Sequence, residues 1–467
     1  MPADLSPYLV MPEKECVEAL IASLDDGARN KDSVSAETAS LIREMRAAKR
    51  KSGSIENFFQ AYSLSTQEGI ALMTLAEALL RIPDGATANA LIRDKISGTE
   101  WGGKSVDDWM LKVAGAGLSA SRNALEGPMA RLGAPVIRKA MAEGMKILGG
   151  QFVLGQTIGE ALKNAAVLEK ESGYLFSFDM LGEGARTKDD ADVYMSAYEA
   201  AIEEIGHAPR KDGRNPGISV KLSALHPRYS FAQEPECVPA LTARLKALCR
   251  KAASYNICLT VDAEEADRLE TAQKIIRAVI EDVTFTGWDG FGLAVQAYEK
   301  RTHALIGNLI EAARAAGKRI QVRLVKGAYW DTEIKRAQMK GLEDYPVFTR
   351  KAHTDISYLA CAQRLLQARD CIYPMFGTHN AYTVSAILGM AGDKGGFEFQ
   401  RLFGMGDALY DVITGREEAD VRIYAPVGIH RDLLPYLVRR LLENGANSSF
   451  VNKVFDPDVT PEELAAD

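Results

Sequence analysis

One stretch of the sequence decides the fold: Arg319-Ile-Gln-Val-Arg-Leu-Val-Lys-Gly-Ala-Tyr-Trp330. Its first half alternates in polarity, which is typical of a β-strand whose two faces have different surroundings. Gln321, Arg323 and Val325 lie on one face of that strand. Gly327 then ends the strand, and a residue without a side chain lets the backbone pass close to a ligand. The pattern therefore predicts a strand that leads directly into a binding site.

The charged residue on this strand, Arg323, has two interpretations. Its permanent positive charge and planar fork of donors suit a phosphate, a carboxylate or an electron-rich ring of a ligand. Alternatively, the guanidinium pairs with a carboxylate of the same fold, such as Asp262. The residues alone leave both interpretations open.

Seven further β-rich runs accompany this strand, each separated from the next by an amphipathic stretch long enough for a helix. Parallel strands require such crossovers, and eight βα units in about 270 residues have the size of a closed (βα)8 barrel. A doubly wound sheet is the competing fold, although Gly182-Glu-Gly184 lacks the third glycine of a dinucleotide-binding turn. The eight runs are Tyr174–Leu181, Ile218–Ala224, Cys258–Asp262, Gly290–Gln296, Arg319–Val325, Tyr373–Thr378, Phe397–Leu402 and Val421–Pro426.

The first 150 residues or so predict helices almost throughout. Ala, Leu, Glu, Met and Lys dominate them, and apolar residues recur at three- and four-residue spacing, as in Ile70–Leu80. The stretch Arg43–Lys51 within this region is strongly basic. Such runs are usually solvated helix faces, and a non-catalytic regulator that binds DNA through this stretch is the alternative.

The composition is that of an ordinary globular protein, with 47% hydrophobic and 25% charged residues among 467. A net charge of −7 argues against nucleic-acid binding through bulk charge. The six cysteines form no C-x-x-C pair, which predicts reduced thiols. No apolar run reaches the roughly 18 to 20 residues of a membrane span, and the N-terminus lacks a signal-peptide pattern. The sequence therefore predicts a cytoplasmic protein without nucleic-acid partners.

Polar side chains recur at the C-terminal ends of the predicted strands, where barrel enzymes place their chemistry. Any one of them could be a satisfied structural group, but buried charges are costly without partners, so the set as a whole predicts a polar ligand. Its members are Asp179, Lys221, Ser223, Asp262, Glu264, Gln296, Arg323, Lys326, Thr378, His379, Asn380, Gln400, Arg401 and Tyr424.

The stretch His430–Ala446 after the last strand predicts an amphipathic helix. Tyr436, Arg439, Arg440 and Glu443 are three, four and seven residues apart, so they form one stripe along it. The stripe is either a solvated salt-bridge face or, because two arginines adjoin an aromatic ring, a clamp for a carboxylate. Spacing does not decide between the two.

Five motifs closely resemble the proline dehydrogenase domain of the bacterial proline utilization A flavoproteins. The resemblance covers about residues 150 to 452, and the helical first third is similar to that family's arm and α domain. It implies an α/β chain in four parts: a helical arm (1–50), an α domain (51–150), a distorted (βα)8 barrel (151–452) and a tail (453–467). The motifs are Lys221–His226, Arg323–Trp330, Thr378–Asn380, Arg422–Gly428 and Tyr436–Ala446.

For the substrate, the resemblance implies L-proline. Its carboxylate would be held by Lys221, Arg439 and Arg440, and its ring would be enclosed by Leu324, Tyr329, Tyr424 and Tyr436. Asp262 matches an acidic residue near the substrate and the flavin, so Arg323, Asp262 and Lys221 are the expected catalytic residues. Tyr424 is expected to crowd a ring hydroxyl, which favours proline over hydroxyproline.

For the cofactor, the resemblance implies FAD at the C-terminal ends of the strands. A hydride would pass from proline C5 to flavin N5, giving 1-pyrroline-5-carboxylate in the first step of proline catabolism to glutamate. Gln296 and Arg323 would contact the isoalloxazine ring, with Arg323 near N5. The rest of the implied FAD site is Val325, Gly327, Tyr329, Trp330, Thr349, Lys351, Thr378, His379, Asn380, Glu443 and Phe450. The residues identify no general base for the substrate amine.

The family's electron acceptor is a membrane quinone, so the resemblance implies peripheral association of a cytoplasmic protein with the inner membrane face. Most relatives continue into an aldehyde dehydrogenase domain, and some begin with a ribbon-helix-helix DNA-binding domain. This sequence shows neither pattern, so we expect either a truncated chain or a single-activity form, and of the two we expect the aldehyde dehydrogenase domain to be absent by truncation.

Two other chemistries remain open at the strand ends. Lys221 or Lys326 could form a Schiff base, as in barrel aldolases. Asp262 with Glu264 could instead hold a divalent metal, although we expect no metal centre.

Overall fold

Eight parallel strands close into a barrel in sequence order, each pairing with the next and β8 pairing back with β1. The structure, a computed structural model, describes residues 4–25, 30–47, 84, 86–87, 153–208, 215–392, 395–428, 453–456 and 458–466. All eight runs identified in the sequence contain a strand, so the (βα)8 prediction is confirmed and the doubly wound sheet is wrong. The strands are β1 (Leu175–Met180), β2 (Gly217–Val220), β3 (Cys258–Val261), β4 (Phe291–Gln296), β5 (Ile320–Val325), β6 (Ile372–Gly377), β7 (Glu398–Leu402) and β8 (Asp420–Val427).

The second strand is shorter than the sequence predicts. The sequence predicts a strand to Ala224, but β2 ends at Val220, and Leu222–Leu225 form one helical turn. All four residues of this turn are buried, so their apolar character fits either conformation. The turn leaves Lys221 at the strand end with an extended backbone.

Helices connect the strands and cover the outside of the barrel. Their ends follow ordinary capping rules: in the helix Lys188–His207, for example, the Thr187 side chain accepts from Asp190 N–H while the Asp190 side chain accepts from Thr187 N–H. The described helices are α1 (Ser6–Leu9), α2 (Glu13–Ser23), α3 (Lys31–Ala47), α4 (Ile158–Ser172), α5 (Lys188–His207), α6 (Leu222–Leu225), α7 (Glu234–Ser254), α8 (Leu269–Ile280), α9 (Thr302–Ala315), α10 (Trp330–Lys340), α11 (Lys351–Leu366), α12 (Ala381–Ala391), α13 (Asp407–Gly415) and α14 (Pro461–Ala465). Short 3-10 turns lie at Phe231–Gln233, Ala266–Arg268 and Val283–Phe285.

The alternation in β5 explains why this strand decides the fold. Ile320, Val322 and Leu324 are at most 1% exposed and belong to the apolar core between the barrel and the helices. Burying one such side chain stabilises the fold by about 2 kcal/mol. Gln321 and Arg323 point to the other face, the inside of the barrel, which is polar.

The N-terminal helix α3 packs against the C-terminal helix α14. Arg46 of α3 donates to the carbonyl oxygens of Val454 (2.7 Å), Asp456 (3.1 Å) and Val459 (2.7 Å). Arg43 forms an ion pair with Glu462. Two arginines of the basic stretch therefore bind the C-terminal segment, which argues against their service in a DNA-binding arm.

Most of the predicted helical region before the barrel lies outside the described residues, as do Lys49, Arg50 and Lys51 of the basic stretch. In the part of the chain that the structure does describe, no helix combines the length and the apolar character that crossing a membrane requires.

Candidate active site

Four charged side chains from four strands meet inside the barrel at its C-terminal end. Asp179 lies on β1, Lys221 and Asp262 directly follow β2 and β3, and Arg323 lies on β5. Because β5 is opposite β1 in the closed barrel, contacts between these side chains cross the interior. Two cations and two carboxylates are thus enclosed together at the mouth.

Lys221 is held from three sides. Its Nζ lies 2.6 Å from Asp179 Oδ1, 3.1 Å from Asp262 Oδ2 and 3.3 Å from Tyr424 Oη. Burial alone would lower the pKa of Lys221, but Asp179, Tyr424 and Asp262 outweigh it and hold this pKa well above its usual value. The ammonium is therefore charged at neutral pH.

Asp262 joins the two cations. Its Oδ1 accepts from Arg323 Nη1 at 2.7 Å, and its Oδ2 accepts from Lys221 and, at 2.7 Å, from the Tyr424 hydroxyl. Burial opposes ionisation, but Lys221 and Arg323 outweigh it and lower the pKa of Asp262. The interpretation in which Arg323 pairs with Asp262 is thus confirmed, while contact of Arg323 with a ligand stays a prediction.

The ring of Tyr424 covers the two cations. The Arg323 guanidinium lies 5.1 Å from its centroid, and Lys221 Nζ lies 6.0 Å from it. Burial, with the carboxylates of Asp179 and Asp262, raises the pKa of Tyr424 well above its usual value, so the phenol stays protonated. It can therefore go on donating to Asp262.

Gln296, the last residue of β4, connects two loops at the barrel mouth. Its Nε2 donates to the carbonyl oxygen of Glu264 at 2.8 Å, and its Oε1 accepts from the Ala328 N–H at 3.2 Å. The loops after β3 and β5 are tied together in this way, and the orientation of the amide is fixed by one acceptor and one donor.

The segment after β5 turns sharply. Gly327 has φ +144°, and a Cβ there would lie 2.4 Å from the ring of Tyr298. The close approach expected at this glycine is therefore made by a tyrosine ring of the protein itself. Tyr329 directly precedes α10, and the first residue of that helix, Trp330, donates its indole N–H to the Phe348 carbonyl at 2.9 Å.

The end of β6 is held by neighbouring strands and helices. The Thr378 carbonyl accepts from the Tyr410 hydroxyl at 2.8 Å, and Asn380 caps α12 through its side chain. His379 Nε2 accepts from the Leu402 N–H at 3.1 Å, which leaves the ring proton of a neutral imidazole on Nδ1. These three predicted cofactor residues thus lie together in one hydrogen-bonded segment between β6 and α12.

Thr349 and Lys351 lie where the loop after α10 enters α11. Glu13 of α2 accepts from both the N–H (3.0 Å) and the hydroxyl (2.7 Å) of Thr349. Lys351 Nζ lies 2.6 Å from Asp355, whose carboxylate also binds Lys326. The N-terminal arm therefore contacts part of the predicted FAD site directly, which the sequence did not indicate.

Leu324 is the predicted pocket residue that the structure separates from the others. Successive side chains of a strand point to opposite faces, so Leu324 lies opposite Arg323 and is fully buried toward the helices. Val325 returns to the face of Arg323 and is half-buried. The placement does not support contact of the Leu324 side chain with a substrate.

Five predicted site residues lie outside the described residues. They are Tyr436, Arg439, Arg440, Glu443 and Phe450. The choice between a salt-bridge stripe and a carboxylate clamp therefore stays a sequence-based prediction.

Asp179 is the partner of Lys221 that the sequence did not identify. Its position at a strand end was recognised, but nothing in the sequence identified it as the partner of Lys221. Burial raises the pKa of Asp179, which Lys221 partly offsets and Asp262 reinforces. The signal that could have found it is its place one strand before Lys221, since adjacent parallel strands bring their ends together.

The alternative chemistries fit these contacts poorly. A charged Lys221 held by two carboxylates is not a free amine, and Lys326 is paired with Asp355. Both oxygens of Asp262 accept from protein donors, as do both oxygens of Glu264. Among the described residues, no cluster of side chains suits a metal ion.

Two family models match the chain. The model described as "Proline dehydrogenase" matches residues 161–453, which include every described residue of the cluster. The model described as "DNA-binding domain of Proline dehydrogenase" matches residues 54–152. Of this second range the structure describes only residues 84, 86 and 87, so the expectation that the chain binds no nucleic acid stays a prediction, and the description of this model speaks against it.

The similar curated proteins include the Bifunctional protein PutA of three bacteria. The Salmonella typhimurium protein is 49% identical over 92% of this chain and 34% of its own length. The Escherichia coli protein is 47% identical over 98% of this chain and 36% of its own length, and the Rhizobium meliloti protein is 48% identical over 98% of this chain and 38% of its own length. The chain therefore spans about a third of the length of these relatives.

Solved structures agree with this similarity. A structure of proline utilization A with proline bound in remote sites is 45% identical, with a TM-score of 0.76 over 100% of this chain and 48% of that one. A mutant of Bradyrhizobium japonicum proline utilization A is 44% identical, with a TM-score of 0.75 over the same shares. The protein from Bdellovibrio bacteriovorus, at 24% identity and a TM-score of 0.78, shares the fold.

Proposed function

This chain belongs to the proline dehydrogenase family, and we propose that it oxidises L-proline with bound FAD. The observation that carries the proposal is the buried cluster of Lys221, Asp262, Arg323 and Tyr424 at the C-terminal end of the barrel. All four residues lie within the range that matches the family. This is the end of a barrel where chemistry takes place.

For substrate binding, we propose that Lys221 faces the proline carboxylate. Its ammonium is charged and held in place by Asp179 and Asp262, so it does not have to be ordered when the substrate arrives. Tyr424 adds an aromatic surface for the ring, and its hydroxyl is turned toward Asp262. Arg439 and Arg440, from the stretch after β8 that the sequence predicts to be helical, would complete the carboxylate site.

The donor set at the mouth fits a flavin. Arg323 is a permanent cation at the centre of the barrel, and Gln296 offers an amide on the adjacent strand. Lys326 and Lys351 place two ammonium groups around Asp355, near Thr349, where the diphosphate of FAD would find cations. Thr378, His379 and Asn380 would line the cofactor on the β6 side, with Val325, Gly327, Tyr329 and Trp330 on the β5 side.

The bound flavin would supply the oxidation itself, accepting at N5 the hydride that leaves proline C5 as 1-pyrroline-5-carboxylate forms. The residues of the chain bind and orient the substrate for that step. Lys221 stays protonated because of its carboxylate partners, and Asp262 stays ionised because of its cations. Neither is therefore suited to take the amine proton, and we propose that proline reacts from the fraction that binds with a neutral amine.

We also propose that a quinone receives the electrons at a membrane surface, as the family resemblance implies. The relatives are named bifunctional and are about three times longer than this chain. We propose that this chain carries the proline-oxidising activity of such a protein.

The test is to add L-proline to the FAD-loaded protein without oxygen and to follow the flavin absorption. We expect the absorption to bleach with L-proline and to persist with D-proline. If the bound flavin bleached with a different amine but not with L-proline, the proposal that L-proline is the substrate would be wrong. If the protein retained no FAD, the proposal that FAD is its cofactor would be wrong.

A further inference from the structure

A column of hydrogen-bonded polar side chains runs through the inside of the barrel, from its N-terminal half to Arg323 near the mouth. It begins at Arg422 on β8, whose Nε and Nη2 lie 2.7 Å and 2.9 Å from the two carboxylate oxygens of Glu398 on β7. It continues through Gln400, which donates to Glu398 at 2.7 Å and accepts from Arg323 Nε at 2.6 Å. Each of these four side chains is at most 6% exposed.

The carboxylate of Glu398 decides which way the Gln400 amide points. A carboxylate bound on both oxygens by a guanidinium can only accept hydrogen bonds, so Gln400 must turn its NH2 toward it. The amide oxygen then faces the opposite way, toward Arg323 Nε. A flipped amide would place oxygen against carboxylate and NH2 against guanidinium, and both contacts would be repulsive.

Arg323 is oriented by this contact together with those above it. Its Nε is bound by Gln400, its Nη1 by Asp262 at 2.7 Å and its Nη2 by Ser219 at 3.0 Å. Together with Ser177, 3.5 Å from Nη2, these acceptors fix the plane of the guanidinium. Gln400 is the one among them that binds Nε, on the side away from Asp262.

We propose that Gln400, oriented by Glu398 and Arg422, is a positioning residue that sets the plane of Arg323 at the flavin site. The inference rests on the proposed function, in which Arg323 contacts the flavin. Without Gln400, the buried Nε has no such acceptor, and the guanidinium can turn about its remaining contacts with Asp262 and Ser219. A positive charge held near a flavin favours the reduced form, which carries more negative charge. Losing that position should therefore lower the reduction potential and weaken FAD binding.

The experiment compares Gln400→Met with a matched control, Gln321→Met. Gln321 is also a buried glutamine inside the barrel, but it binds the Asp289 carbonyl and Cys258 instead of Arg323. The FAD dissociation constant is measured by titration, and the midpoint potential by reductive titration against a dye. For Gln400→Met we expect an FAD dissociation constant raised about tenfold and a more negative potential, and for Gln321→Met about the wild-type values.

Further variants keep the test decisive. Gln400→Glu keeps an oxygen opposite Arg323 Nε but sets a second carboxylate against Glu398, so it should not restore FAD affinity, and full affinity would contradict the orienting role of Glu398. If Gln400→Met does not fold, Gln400→Asn, whose amide is one methylene too short to reach Arg323, should show the same direction of change. Variants that match the wild type in both measurements would overturn the inference while leaving the proposed function intact. A wild type that binds no FAD would overturn the proposed function itself.

Discussion

The ammonium of Lys221 lies 2.6 Å from the carboxylate of Asp179, and only 1% of Asp179 is exposed. The two residues come from adjacent strands, since Asp179 pairs in register with Ser219 of β2. Removing both charges of a buried ion pair from water costs free energy, so an intact pair adds only modestly to the free energy of unfolding. Breaking it is costly, because the remaining charge stays buried.

Asp179→Ala should therefore lower the free energy of unfolding by about 3 kcal/mol, because it leaves the Lys221 ammonium with one carboxylate fewer. Urea unfolding followed by circular dichroism measures the change. Asp370→Ala is the control, since it breaks an ion pair with Arg314 in which both side chains are more than half exposed. Equal losses in the two variants would contradict a special contribution from burial.

The architecture could be predicted from the sequence because each strand is recognisable from its own local pattern of residues. The alternation of polar and apolar residues in β5 and the amphipathic stretches between the strands both arise from packing of the strands against the helices. Each strand makes these contacts independently of its neighbours, so each leaves its own pattern. The predicted end of β2 was wrong, because Leu222–Leu225 are buried in a helical turn just as they would be in a strand. Burial was predictable there, but the conformation was not.

The site was predictable as a set of residue types and not as a set of partners. Lys221, Asp262, Arg323 and Tyr424 do come together, and the pairing of Arg323 with Asp262 was one of two interpretations that the sequence left open. The Asp179 partner of Lys221 and the Glu13 contact with Thr349 depend on three-dimensional register and on the path of the N-terminal arm. Neither leaves a local pattern in the sequence.

The stability of the fold should depend on pH through Glu333 in α10. Burial, with the nearby Glu299 and Asp267, raises the pKa of Glu333 to about 7, although its carboxylate accepts from the Ala266 N–H at 2.9 Å. An unfolded glutamate titrates at about 4.3. Between these two values the folded state holds a proton that the unfolded state has lost. The free energy of unfolding should therefore fall as pH rises from about 4.5 to about 7.

Glu333→Gln isolates this contribution, because it keeps the carbonyl oxygen for Ala266 and removes the titrating group. Urea midpoints at pH 5 and pH 8 should differ less in the variant than in the wild type. Glu281→Gln is the control, since its exposed carboxylate pairs with Arg277 on the surface. An unchanged pH dependence in Glu333→Gln would show that this carboxyl is ionised in the folded protein.

The N-terminal arm should contribute to FAD affinity through Glu13. Replacing Glu13 by Gln weakens two hydrogen bonds to Thr349, so we expect the FAD dissociation constant to rise about fivefold, or about 1 kcal/mol. Glu18→Gln on the same helix is the control, because its exposed side chain pairs with Lys14. Fluorescence titration with FAD gives both constants. If the FAD dissociation constants of Glu13→Gln and the wild type were identical, the assignment of Thr349 to the cofactor site would be wrong.

Because the described cluster is nearly neutral, we expect most of the substrate's carboxylate recognition to come from the predicted helix in His430–Ala446. Lys221 and Arg323 are matched in the cluster by Asp179 and Asp262, so it offers little net positive charge. Arg440→Met should then cost a few kcal/mol of substrate binding, as truncation of a buried charge pair does, and raise the Michaelis constant for proline more than it lowers kcat. Arg314→Met, at an exposed surface pair, is the control for nonspecific effects. If the Michaelis constant for proline were unchanged in Arg440→Met, the assignment of carboxylate binding to Arg440 would be wrong.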